Sequence, residues 1–169
     1  MAVLPIRAWP DPVLSTPAKP IATPGNVETL ARDMLETMYA APGRGLAAPQ
    51  VGVLIRLFVM DTTWKEGTRD LLVCVNPDIV ALSAEMATMS EGCLSIKGVN
   101  LEVARPAWVD LAWSDLQGVR HQRRFEGFAA ACVQHEYDHL EGRVTFDRVS
   151  PAARAAAVAT YETYLETTR

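Results

Sequence analysis

Hydrophobic and polar positions change their rhythm several times along the chain. In "VETLARDMLETMYA", Val27, Leu30, Met34, Leu35 and Met38 recur every three or four residues. That spacing predicts an amphipathic helix over 27–40, with Asn26 as its N-cap. "APGRG" then ends it, since proline and glycine do not continue a helix cheaply. "VLIRLFVMD" and "LLVCVNP" are short runs of bulky and β-branched residues and predict two strands. Segment 77–100 has scattered polar residues and predicts short strands and loops.

In "AWVDLAWSDLQG", Val109, Leu111 and Trp113 alternate against Trp108, Asp110, Ala112 and Ser114. Together with "VRHQRRF" this predicts a hairpin turned by "DLQG". "GFAAACVQHEYDHLEG" returns to helical spacing, with Phe128, Ala131, Cys132, His135 and His139 on one stripe. Gly142 suits the residue just past the helix end. "VTFD" predicts a short strand. "SPAARAAAVATYETYLETTR" predicts an alanine-rich helix with Ser150 as N-cap and Pro151 at its first position. Helix, strands, helix and helix in that order predict an α+β domain. Its antiparallel strands pack around a central helix, with one helix before and one after.

The chain has 169 residues, enough for one domain with a real core, so residues 1–169 are read as a single catalytic domain. Hydrophobic residues make up 49% and charged residues 21%, which excludes overall disorder. The formal charge is −4 and there is no dense basic run, which argues against nucleic acid as a ligand. The N-terminal stretch is broken by prolines and reads as no signal peptide. "VGVLIRLFVM" is too short to span a bilayer and contains Arg56. Three cysteines without a secretion signal predict reduced thiols in the cytoplasm rather than a disulfide framework.

The candidate chemistry centres on "QHEYDH". Four helical residues advance about 400°, so His135 and His139 leave the same face one turn apart and can reach one cation. Glu136 lies beside them, able to take a proton from an activated water. The alternative is an ordinary polar helix turn. Sharing a stripe with Phe128 and Cys132 argues that the histidines face inward, where they need a partner.

A catalytic site needs a third ligand and an open position. His121 sits among Arg120, Arg123 and Arg124 and reads as a surface residue. Cys93 in "EGCLS" is the better candidate, because the preceding glycine lets the backbone approach closely and thiolate is a strong ligand for zinc or ferrous iron. Cys74 lies in an apolar strand and reads as a small hydrophobe, while Cys132 would line a pocket. "GRGLAAPQVG" is a glycine-rich element between helix and strand. It ends near Gln50, whose amide can donate to an oxyanion.

Taken together, "GRGLAAPQ", "EGCLS" and "QHEYDH" resemble, in order and spacing, the three signature motifs of peptide deformylases. "WPDPVLSTPAKPI", "VNPDIVALS" and "HLEGRVTFDR" resemble that family as well, and the likeness fades after about Ser150. The resemblance implies a ferrous ion, replaceable by zinc, nickel or cobalt, held by Cys93, His135 and His139. It implies Glu136 as general base, and Gln50 and the Leu94 N–H as oxyanion donors. Gly45 is implied as a backbone partner of the substrate. The implied reaction removes the formyl group from the N-terminal formyl-methionine of new polypeptides. Arg44, Met89, Glu91, Phe128, Ala131 and Cys132 complete the substrate-binding set, with Met89, Phe128 and Cys132 in the wall of the methionine pocket.

Several positions depart from the family pattern. Arg44 replaces the usual Val or Ile, Ser90 stands where a second glutamate is common, Lys97 removes a frequent proline, and Ala131 is small. These leave open a deformylase-like paralogue with altered preference, and, from another class, a metal-binding module without catalysis. Arg105 and Asp138 are expected to pair behind the ligand helix. The last helix carries Arg154 and Arg169 but also Glu162 and Glu166. It therefore reads as a packing helix rather than a ribosome-docking one, on a monomer that touches neither membrane nor nucleic acid.

Overall fold

A computed structural model describes residues 1–169. Three helices, α1 (Glu28–Ala40), α2 (Gly127–Leu140) and α3 (Pro151–Thr167), combine with seven strands. The strands are β1 (Gly45–Ala47), β2 (Leu57–Met60), β3 (Leu72–Leu82), β4 (Met86–Cys93), β5 (Ile96–Pro106), β6 (Trp108–Ser114) and β7 (Arg120–Glu126). Five of them form an antiparallel sheet in the order β1-β2-β3-β6-β7, and β4 and β5 form a separate hairpin. This is the expected α+β architecture.

Strand β2 explains the layering. All four of its residues are buried, because the sheet is covered on both faces. Phe58 and Met60 point into one core with Leu111, Phe125, Val133 and Leu140, which brings in α2. Leu57 and Val59 point the other way, onto Met34 and Met38 of α1. Helix α2 is thus enclosed over most of its length, and every residue from Ala130 to Glu136 is buried. A third core lies under α3, where Tyr161 and Ala157 meet Leu14, Ile96 and Phe146.

The hairpin expected over 107–125 forms, as β6 and β7. Asp115 accepts from the Gln117 and Val119 amides, and Gly118 takes φ +83° in the turn. Helix α3 starts as expected, with the Ser150 hydroxyl accepting from the Ala153 amide and Pro151 in its first turn. Gly142 follows α2 with φ +75°.

Four expectations need correction. Asn26 does not cap α1. It lies inside a 3-10 turn over Pro24–Val27 that leads into the helix, and Val27 holds the cap position without a side-chain bond. Segment 77–100 is mostly long strand rather than short strands and loops: β3 runs to Leu82, and β4 and β5 pair over most of their length. Its sparse apolar pattern arises because the β4–β5 hairpin leaves much of its surface in water, with β4 alternating exposed and half-buried until Glu91. "VTFD" is a 3-10 turn over Thr145–Arg148, in which the Asp147 carboxylate accepts from the Val144 amide. The first apolar run becomes strand only from Leu57, since Ile55 bridges to Lys19 instead.

Candidate metal centre

Two elements distant in sequence deliver the site. His135 and His139 project from α2, and Cys93 comes from the end of β4, where the pairing with β5 slips between Gly92 and Cys93. That irregularity re-aims the sulfur out of the ladder. One donor atom from each of Cys93, His135 and His139 lies within 4.8 Å of the other two. The Cys93 sulfur is 3.5 Å from His139 Nε2.

The electrostatics match a cation site. Burial alone would raise the Cys93 thiol, but the two imidazoles outweigh it and hold the group at about 5. Burial disfavours a charged His135, yet the Cys93 sulfur and the Glu91 carboxylate beside it push that imidazole well above its ordinary value. Burial pushes Glu136 up. Only two buried side-chain polar atoms in the chain lack a hydrogen-bond partner, Oε2 of Glu136 and Nδ1 of His139, and both are at this spot. A thiolate and two imidazoles are the donor set of a zinc- or iron-type centre with one position left over, and an unsatisfied carboxylate oxygen stands beside it.

Behind the ligands runs a buried ionic chain. Glu91 accepts from His135 Nδ1 at 3.0 Å, which orients that ring and leaves Nε2 as its ligand nitrogen. Arg105 donates to both Glu91 oxygens at 2.7 and 3.0 Å and to Asp138 at 2.9 Å, the expected Arg105–Asp138 pair. Arg148 closes the chain on Asp138. Glu91 was expected among the substrate contacts; although it borders the cavity, its carboxylate is occupied by Arg105 and His135. Arg105→Leu would strand buried charge between two elements. It should cost ~3–5 kcal/mol of stability in urea unfolding and weaken metal affinity roughly 10–100-fold in a chelator competition.

The centre opens into a cavity of about 320 Å³. Gln50, Leu94, Ala131, Cys132 and Glu136 border it, as expected. So does Phe128, although its ring is 48% exposed and sits at the mouth rather than on an inward stripe. Met89 does not border it: on β4 the cavity is bordered by Ser90 and Glu91, and Met89 is the residue before them. His121 is a surface residue paired with Asp115, and Cys74 is a buried hydrophobe, both as read.

Gln50 is held ready to donate. Its Oε1 accepts from the Ala47 amide at 2.9 Å, which turns the nitrogen toward the centre. Nε2 donates to Ser95 Oγ at 3.1 Å and reaches the Cys93 sulfur only at 3.7 Å, so one N–H is loosely engaged. Ser95 closes the "EGCLS" motif, and its role in holding the Gln50 amide is visible only in the fold.

Strand β1 contributes an open edge. It sits at the end of the sheet and pairs with β2 alone. The Asp61 amide donates to the Arg44 carbonyl, so in this register the Gly45 N–H and C=O point away from β2, toward the unpaired side. A Cβ on Gly45 would stand 2.6 Å from Glu136 Oε1, so the bare backbone is what lets strand and carboxylate meet. An extended peptide can add to such an edge.

Comparison with known proteins points the same way. The family model described as polypeptide deformylase matches residues 3–155. A peptide deformylase of Rhizobium meliloti is 43% identical over 155 residues, covering 91% of this chain and 89% of that protein. One from Rhodopseudomonas palustris is 42% identical over 165 residues, covering 96% and 92%. The crystal structure of a peptide deformylase from Legionella pneumophila superposes with TM-score 0.92 at 37% identity, covering 99% and 98%.

Proposed function

This chain belongs to the peptide deformylase family and is a metallohydrolase that removes the formyl group from nascent peptides; from that premise we propose which of its residues do the work. The family is metal-dependent, and the meeting of Cys93, His135 and His139 is the observation that carries the reading. These three would hold one divalent cation. Ferrous iron is our assignment, with zinc, nickel and cobalt as substitutes, because a mixed thiolate and imidazole set suits all of them. Bound there, the cation supplies Lewis acidity that brings the pKa of a water toward ~7.

The chain's own groups do the rest. The Gly45 backbone pairs with the peptide and sets the formyl carbon beside Glu136. The methionine side chain enters the cavity toward Ala131 and Cys132. Glu136 accepts the proton of the attacking water and returns it to the departing amine. Its raised pKa suits a group that must both take and give a proton. The Gln50 amide and the Leu94 N–H donate to the oxyanion as it develops.

We place the reaction in the cytoplasm, where a reducing environment keeps the three free cysteines, Cys93 among them, as thiols. No helix is long and apolar enough to cross a membrane. We read residues 1–169 as one catalytic domain acting as a monomer. Helix α3 turns Ala157 and Tyr161 onto the core and carries acidic Glu162 and Glu166, which does not favour ribosome docking.

Formate release from formyl-Met-Ala-Ser by anaerobically iron-loaded protein tests the function. Turnover far above the metal-free protein is expected, and none would reject the reading.

A further inference from the structure

The 3-10 turn Trp64–Glu66 is fastened onto the approach to β1 by three consecutive side chains. The Trp64 indole donates to the Gly43 carbonyl at 2.9 Å, and Lys65 Nζ to the Pro42 carbonyl at 2.6 Å. Glu66 accepts from both terminal nitrogens of Arg44 at 2.8 and 2.9 Å. Arg44 also donates to the Thr62 carbonyl, and its guanidinium carbon sits 5.3 Å from the centre of the Phe128 ring. A long cationic side chain is therefore fixed at the mouth of the cavity instead of swinging in solvent.

The charges around this mouth are unequal. Arg44 and Lys65 both border the cavity, whereas Glu66 lies outside its lining and is 60% exposed. The acidic groups deeper in the site are committed elsewhere: Glu91 to Arg105 and His135, and Glu136 to the reacting centre. An arriving peptide thus meets two cations at the cavity, while Glu66, paired with Arg44, lies outside its lining. The Gly45 backbone faces the unpaired side of β1, and the cavity that holds Glu136 and Cys93 also borders Pro42, Arg44 and Lys65. With the formyl end at the metal ligands, the residues after methionine leave along the part of the cavity that carries these two cations.

We propose that Arg44 and Lys65, framed by Glu66, make this enzyme prefer substrates with a carboxylate side chain in the first or second residue after formyl-methionine, and disfavour lysine or arginine there. This rests on the deformylase reading and adds to it a discrimination that methionine recognition does not supply. Attraction across a partly exposed rim is modest and falls with salt, so the expected effect is about 3–10-fold for carboxylate against lysine at low ionic strength. Glu66→Gln should enlarge the preference by freeing Arg44. Arg44→Leu should shrink it.

The test uses amide-capped peptides, so that no terminal carboxylate competes. kcat/KM is measured on iron-loaded enzyme for formyl-Met-Ala-Ala-amide and for its Asp and Lys counterparts at each of the two later positions. The inference predicts Asp above Ala above Lys at one position or both, a ratio that falls several-fold at high salt, and a larger ratio in Glu66→Gln. Turnover of every peptide within twofold, or an unchanged ratio in both variants, would overturn it while leaving deformylation intact. No turnover of any peptide would overturn the deformylase reading and this inference with it.

Discussion

Glu136→Gln should lower kcat by about 100- to 10,000-fold while leaving metal content and fold unchanged. The carboxylate is 4% exposed, and its Oε2 has no partner in the folded chain. Glutamine keeps the volume and can still hydrogen-bond to a water, but it cannot carry the proton from that water to the leaving amine. The variant therefore separates binding from proton transfer. Formate release gives kcat, and metal analysis of the same sample gives occupancy. A loss of activity matched by an equal loss of metal would place Glu136 among the ligands instead.

Cys93→Ser is the second large effect, and it acts earlier in the chain of causes. Serine is nearly isosteric, so β4 and its slipped pairing at Gly92 should survive. Its hydroxyl does not ionise near neutral pH, whereas two adjacent imidazoles hold the Cys93 thiol at about 5 despite burial. The charged ligand is therefore lost at little structural cost. Metal stoichiometry after dialysis against a mild chelator should fall from one per chain to near zero, and turnover should fall with it. Retention of a full equivalent of metal with ordinary activity would remove Cys93 from the coordination sphere.

The legible parts of this molecule are local ones. Helix α2 could be read because glycine, small apolar residues and the His-Glu-x-x-His spacing all lie within one segment. The 108–126 hairpin could be read because alternation and turn residues agree. Cys93 could be singled out by its glycine neighbour, although only the fold brings it to within reach of His139, 46 positions away. The β4–β5 hairpin was obscured because a strand wet on much of its surface has too few apolar positions to announce its period. Met89 is expected in the pocket wall by its position in the chain, but on β4 the lining of the cavity begins only at Ser90.

Long-range partners were the least legible. Arg105 and Asp138 are an expected pair, but Arg148, which completes that chain, follows a segment that the sequence predicts as a strand and carries no mark of its own. Glu91 was placed against substrate because its true partners, Arg105 and His135, come from β5 and α2. Glu66, which holds Arg44, is 22 positions from it in a turn with no distinguishing pattern. Such contacts are set by the path of the backbone, which a single sequence does not display.

A sulfur from the middle of the chain and two imidazoles from a late helix share one cation: this is the claim on which the account stands. X-ray absorption at the zinc edge, on protein loaded with a single equivalent of zinc, tests it directly. The account predicts one sulfur at about 2.3 Å and nitrogen or oxygen neighbours at about 2.0–2.1 Å, with the sulfur signal gone in Cys93→Ser. A shell of nitrogen and oxygen alone in the unaltered protein would contradict it.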